Sequence, residues 1–168
     1  LHIPFTTVRT VPIERVVTVL DETFVVPPSA HRYYQMVFPS ESTLNINMRV
    51  ISGGNLDINF MVVDELNYYK WRSGDYYMSY MARSRLSSFN DRWVPPSDTR
   101  LYFVFDNSFS LVTSKTVWVK IDRIWTDYET QQVTMIRPLL SSETSFTGAL
   151  FILIGVAIVI YGAIVKPK

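Results

Sequence analysis

The 168-residue chain has no cysteine, two histidines, six glycines and a formal net charge of only +1. Each shortage excludes something. Without cysteine there is no disulfide framework, zinc ribbon, iron–sulfur site or thiol nucleophile. A charge this balanced removes the electrostatic reason to expect nucleic acid as a partner. With only His2 and His31, no serine has a recognisably placed base. No H-E-x-x-H, G-x-S-x-G, Walker A or Rossmann pattern occurs, and Ser52-Gly53-Gly54-Asn55 reads as a turn, not a phosphate loop. The carboxylates are scattered, with none of the dense spacing of a calcium loop. Asp106-Asn107 is the pair to hold a cation at a strand end if one is bound; its plainer reading is a turn bonding its own backbone. The expectation is a non-enzymatic protein with no catalytic residue, metal site or cofactor, which leaves room for a non-catalytic subunit of an enzyme complex.

What is present divides the chain in two. In the 20 residues Phe146–Val165, all but Thr147, Gly148, Gly155 and Gly162 are apolar and none is charged. About 20 such residues cross a hydrocarbon core of about 30 Å. Glu143 precedes the run, Lys166 and Lys168 follow it, and Tyr161 lies near the basic end. Positive charge beside a span favours the cytoplasmic side. The expected layout is an extracytoplasmic domain over 1–142, with a membrane-proximal linker from about 125. A single transmembrane helix and short cytoplasmic tail then fill 143–168. An exported domain needs a signal peptide, which is expected to have been removed before Leu1. Export without disulfides points to an archaeal or bacterial cell envelope. Gly148, Gly155 and Gly162 recur every seven residues, so they share a helix face. Small residues on one face admit a second transmembrane helix.

The outer segment reads as strands at Glu14–Leu20, Arg32–Phe38, Thr43–Ile51, Leu56–Asp64, Arg100–Asp106 and Thr116–Ile124, with one more around Gln132–Ile136. Leu44, Ile46, Met48 and Val50 alternate with polar residues, as do Leu56, Ile58, Phe60 and Val62, and Val117, Val119 and Ile121. The Gly-Gly turn between the first two sets predicts a β-hairpin. Asp64 and Gly74 are placed to cap a short helical turn. Together these give an all-β fold: an antiparallel, jelly-roll-like β-sandwich followed by the transmembrane helix.

The alternating strand, Gly-rich turn and second strand ending Val62-Val63-Asp64, followed by Asn67-Tyr68-Tyr69-Lys70-Trp71, resemble the ectodomain of the GOLD (emp24-like) family. So does Tyr102-Phe103-Val104-Phe105-Asp106-Asn107-Ser108-Phe109-Ser110 with the later Lys115-Thr116-Val117. The resemblance spans about half the chain and implies a β-sandwich that binds proteins or lipids. The emp24 branch adds a C-terminal transmembrane helix with a short tail, a disulfide and a coiled coil. The last two are missing here, so what carries over is the sandwich-plus-anchor architecture.

Aromatics are the richest class. Tyr68, Tyr69, Trp71, Tyr76, Tyr77 and Tyr80 cluster with Lys70, Arg72, Arg83 and Arg85, on an expected loop and edge strand. Tyr, Trp and Arg are favoured at interfaces, although strands also accept aromatics as core. Tyr68, Tyr69, Trp71 and Arg72 are the candidate partner-binding residues, and Gly148, Gly155 and Gly162 the candidate helix-packing residues. The reading is an accessory or scaffolding subunit of a larger membrane complex, in contact with other membrane-protein subunits and the lipid bilayer. One alternative is a free-standing surface module for glycan, lipid or secreted protein. Another is a copper-binding redox component built on His2, the terminal amine and His31.

Overall fold

The structure, a computed structural model, describes residues 2–138, with side chains for 4–136. The apolar run Phe146–Val165, Gly148, Gly155 and Gly162, and the side chain of His2 lie outside the described residues. Among those described, no helix is long and apolar enough to cross a membrane. Glu14–Thr126 form one compact unit, and the remaining described residues belong to a second.

Eight strands and one helix follow in order: β1 His2–Val26, β2 His31–Val37, β3 Thr43–Ser52, β4 Ile58–Asp64, α1 Glu65–Ser73, β5 Met81–Leu86, β6 Ser88–Trp93, β7 Arg100–Asp106 and β8 Lys115–Pro138. They make two four-stranded sheets with orders β1-β8-β3-β6 and β2-β7-β4-β5. This interleaving of early and late strands is the eight-stranded jelly-roll arrangement, so the all-β expectation holds. Between the sheets lie Leu44, Ile46, Met48 and Val50 of β3, Ile58, Phe60 and Val62 of β4, Leu101, Phe103 and Phe105 of β7, and Val117, Val119 and Ile121 of β8. The three alternating sets are therefore the core faces, except for Leu56, which precedes β4 and is exposed.

The expected hairpin is not formed. β3 and β4 lie in different sheets, so the Gly-Gly segment arches over the core instead of joining neighbours. Gly53 sits at φ +110°, and a Cβ there would stand 2.0 Å from the Ser114 carbonyl oxygen, so the arch needs glycine. Lys115 ties it down: its Nζ donates to Gly53 O at 3.0 Å and to Asp57 Oδ1 at 2.7 Å. Asn107, fully buried, closes the same end by donating from Nδ2 to the carbonyls of Val26, Pro27 and Thr113.

The two central strands of sheet β2-β7-β4-β5, β4 and β7, are covered on both faces. Met61 and Val63 of β4, with Tyr102 and Val104 of β7, point away from the sandwich core into a second cluster containing Tyr68 of α1. Burial on both faces gives β4 and β7 their nearly continuous apolar runs.

The strand expected around Gln132–Ile136 is present as the end of β8. Residues 125–138 continue β8 as strand, and β1 starts at His2. The side-chain bonds Thr18 to Asp122 and Trp118 to Asp21 link the two strands in antiparallel sense, with residue numbers summing to about 140.

Candidate functional site

The Tyr- and Arg-rich segment begins as the helix α1 and continues through a loop into the edge strand β5, which carries Arg83 and Arg85. Asp64 caps α1 by accepting from the Asn67 backbone N–H at 2.8 Å, and the Asn67 side-chain amide donates back to it. Gly74, left-handed at φ 78°, ends the helix: its N–H donates to Trp71 O, and that of Asp75 to Lys70 O. Asn67 also accepts from the Met78 N–H at 2.9 Å, which holds the following loop against the helix.

One buried side chain fastens this helix to the sheet. Tyr68 is 1% exposed and stacks on Tyr102, with ring centroids 4.3 Å apart and planes 11° apart. Tyr33 packs against the same ring at 4.9 Å. The Tyr68 hydroxyl lies 3.2 Å from His31 Nε2, and the His31 ring meets Trp71 edge-on at 4.8 Å. Desolvation, then the Arg72 charge, holds the His31 pKa below its usual 6.5, against an opposing pull from Asp106. Burial, reinforced by the charge of Tyr33, raises the Tyr68 pKa. Burial, reinforced by Glu65, pushes Tyr102 up to about 12. Both phenols are therefore protonated at neutral pH.

The outer side of α1 differs. Leu66 is 65% exposed and Tyr69 53%. They flank an open depression of about 550 Å³ with Asp64, Glu65, Thr99 and Arg100. Its rim is set by Glu65, which pairs with Arg100 at 3.1 Å and accepts from the Tyr102 hydroxyl at 3.3 Å. Arg72 is exposed, its guanidinium 5.9 Å from the Tyr68 ring centre. The candidate residues thus separate: Tyr68 is interior, Trp71 is half-buried beside His31, and Tyr69 and Arg72 face solvent. Leu66, Glu65 and Arg100 complete the exposed surface. Leu66 announces itself only once the helix is known, because its position three residues before Tyr69 puts both on one face.

Other candidate residues take structural roles. Asp106 accepts from Asn59 Nδ2 at 3.1 Å and from the Ser108 N–H at 2.9 Å, the Asx turn of the plainer reading. Asn107 spends its amide donors on three carbonyls. His31 belongs to the aromatic cluster under α1. Among the described residues, no group of three or more His, Asp or Glu is placed to hold a metal ion. Comparison with known proteins gives no match, either to a family model or to a curated protein.

Proposed function

We propose that this chain is a non-enzymatic, single-pass membrane protein of a prokaryotic envelope, with its sandwich outside and its C-terminus cytoplasmic. In this reading it is an accessory or scaffolding subunit of a larger membrane complex. The observation that carries the reading is the helix α1: fastened through Tyr68 and capped at both ends, it presents Leu66, Tyr69 and Arg72 outward. Aromatic, aliphatic and arginine side chains on a rigid support are the materials of a protein-binding hot spot. The uncharged run Phe146–Val165, with Gly148, Gly155 and Gly162 on one face, supports the bilayer side of the proposal. The likeness to GOLD sandwiches with a C-terminal anchor points the same way.

A glycan- or lipid-stacking module draws less support. Of its candidate rings Tyr68 is enclosed and Trp71 is half-buried against His31, which leaves Tyr69 open to a ligand. The test is purification of the full chain from native membranes in mild detergent, beside Leu66→Asp and Tyr69→Ala. The proposal expects stoichiometric membrane-protein partners with the native chain and their loss with either variant. A monomer without partners would overturn it.

A further inference from the structure

We infer that a second copy of this chain adds to the edge of the sandwich, strand β1 pairing with β1 about a twofold axis at Thr18. Among the described residues β1 has one strand neighbour, β8, so one row of its backbone N–H and C=O groups faces away from the sheet. Strands inside a sandwich alternate buried and exposed, but every residue from Glu14 to Val19 is exposed. Three of the six are valines, at 58%, 43% and 38% for Val16, Val17 and Val19. The stretch Val16-Val17-Thr18-Val19-Leu20 contains no charge, proline or glycine, and every residue is apolar or β-branched. Such a segment on an edge is a template for another strand unless it is blunted.

The other edges are blunted. β5 has an irregular register against β4 between Ile58 and Phe60 and carries Arg83 and Arg85, the latter at φ 56°. β6 spans only Ser88–Trp93 and carries Asp91 and Arg92. β2 spans seven residues and starts His31-Arg32. The long β1 edge has none of these devices between Val16 and Leu20.

Charge chooses the occupant and the register. A twofold axis perpendicular to a sheet keeps each side chain on its own face, so opposed residue numbers must sum to an even value. A sum of 36 sets Arg15 opposite Asp21 of the second copy, twice by symmetry, with Val17 opposite Val19, Val16 opposite Leu20 and Thr18 opposite itself. All these residues are β-formers or oppositely charged pairs, the combinations that stabilise cross-strand neighbours. A sum of 30 brings Arg9 to Asp21 but opposes Arg15 to itself, which disfavours it. At 36 the one like-charged pair is Glu14 with Glu22, and each has an arginine of its own chain nearby: Arg92 at 3.9 Å and Arg32 at 3.5 Å. The partner is thus another β1, independent of which complex the protein serves.

The absence of cysteine makes the test clean. Thr18→Cys in the full chain in mild detergent places two thiols across the axis, where opposed Cα atoms lie about 4.5–5.5 Å apart, within disulfide reach. Mild oxidation should give a covalent dimer, whereas Asn90→Cys on the β6 edge should stay monomeric. Separately, Arg15→Asp should raise the concentration needed for dimerisation roughly ten-fold, as two cross-strand pairs turn repulsive. Adding Asp21→Arg to that variant should restore dimerisation. Performing both in a Gly155→Ile background removes association through the glycine face. Equal cross-linking of Thr18→Cys and Asn90→Cys would overturn the inference. Dimerisation indifferent to the charge exchange would overturn it as well.

Discussion

Tyr68 and Tyr69 are neighbours in sequence with opposite roles. Tyr68 joins α1 to Tyr102 and Tyr33, so Tyr68→Ala should cost about 3–5 kcal/mol of stability, the usual penalty for emptying a large buried site. Tyr69→Ala removes an exposed ring and should change stability by less than about 0.5 kcal/mol. Chemical denaturation of both variants, followed by tryptophan emission, measures the difference. Asp57 and Lys115 are a second contrast. Lys115 is 3% exposed at its side chain, and its partners Asp57 and Gly53 O are what make its charge tolerable there. Its hydrogen bond, partly opposed by burial and helped by Arg85, holds the Asp57 pKa below 3.8. Asp57→Ala should therefore cost about 3–5 kcal/mol, because it strands a buried cation, and should lower the melting temperature accordingly. Lys115→Met removes the buried charge itself and should cost less.

His31 supplies a pH dependence whose sign is fixed. Its folded pKa is depressed below 6.5, so at lower pH the unfolded chain binds a proton that the folded chain resists. Its contribution is complete above pH 6.5 and is lost as pH falls towards the folded value. Melting temperatures measured below pH 6.5 should decline less steeply for His31→Gln than for the native chain. An unchanged slope would contradict the placement of His31 under α1.

At the scale of elements, legibility in the sequence followed the physics of each signal. Helix α1 was readable from Asp64 and Gly74, because capping chemistry is local. Asp64→Ala should cost about 1 kcal/mol, visible as a small shift in thermal unfolding. The core faces of β3, β4 and β8 were readable from alternation. The hairpin is not legible from alternation, which records which face is buried and not which sheet the strand joins: β3 and β4 face each other across the core. Strands β5 and β6 have weak signals: four successive residues of Met81–Leu86 are exposed, and the inward positions of Ser88–Trp93 are only half-buried and include Asp91. The helix cover over Met61, Val63, Tyr102 and Val104 was hidden for the opposite reason, since burial on both faces erases alternation. Of the candidate surface, the residue types were legible and their division into interior and exterior was not, because that division needs the helical phase.

At the scale of the whole molecule, composition separates a β-rich segment of ordinary polarity from the uncharged run Phe146–Val165. Within the compact unit Glu14–Thr126, antiparallel β1 and β8 bring the first and last residues to one end. The arches 27–30, 53–57 and 107–114 lie at the other end, drawn together by Asn107 and Lys115. The proposed function, a subunit anchored through its C-terminal run and docking through α1, requires the exposed and the buried halves of the aromatic segment to act independently. The most direct measurement is partner recovery from native membranes for the native chain and for Tyr69→Ala, with melting temperature recorded for each. The account predicts that Tyr69→Ala loses its partners at an unchanged melting temperature. Full partner recovery by Tyr69→Ala and Leu66→Asp would contradict it.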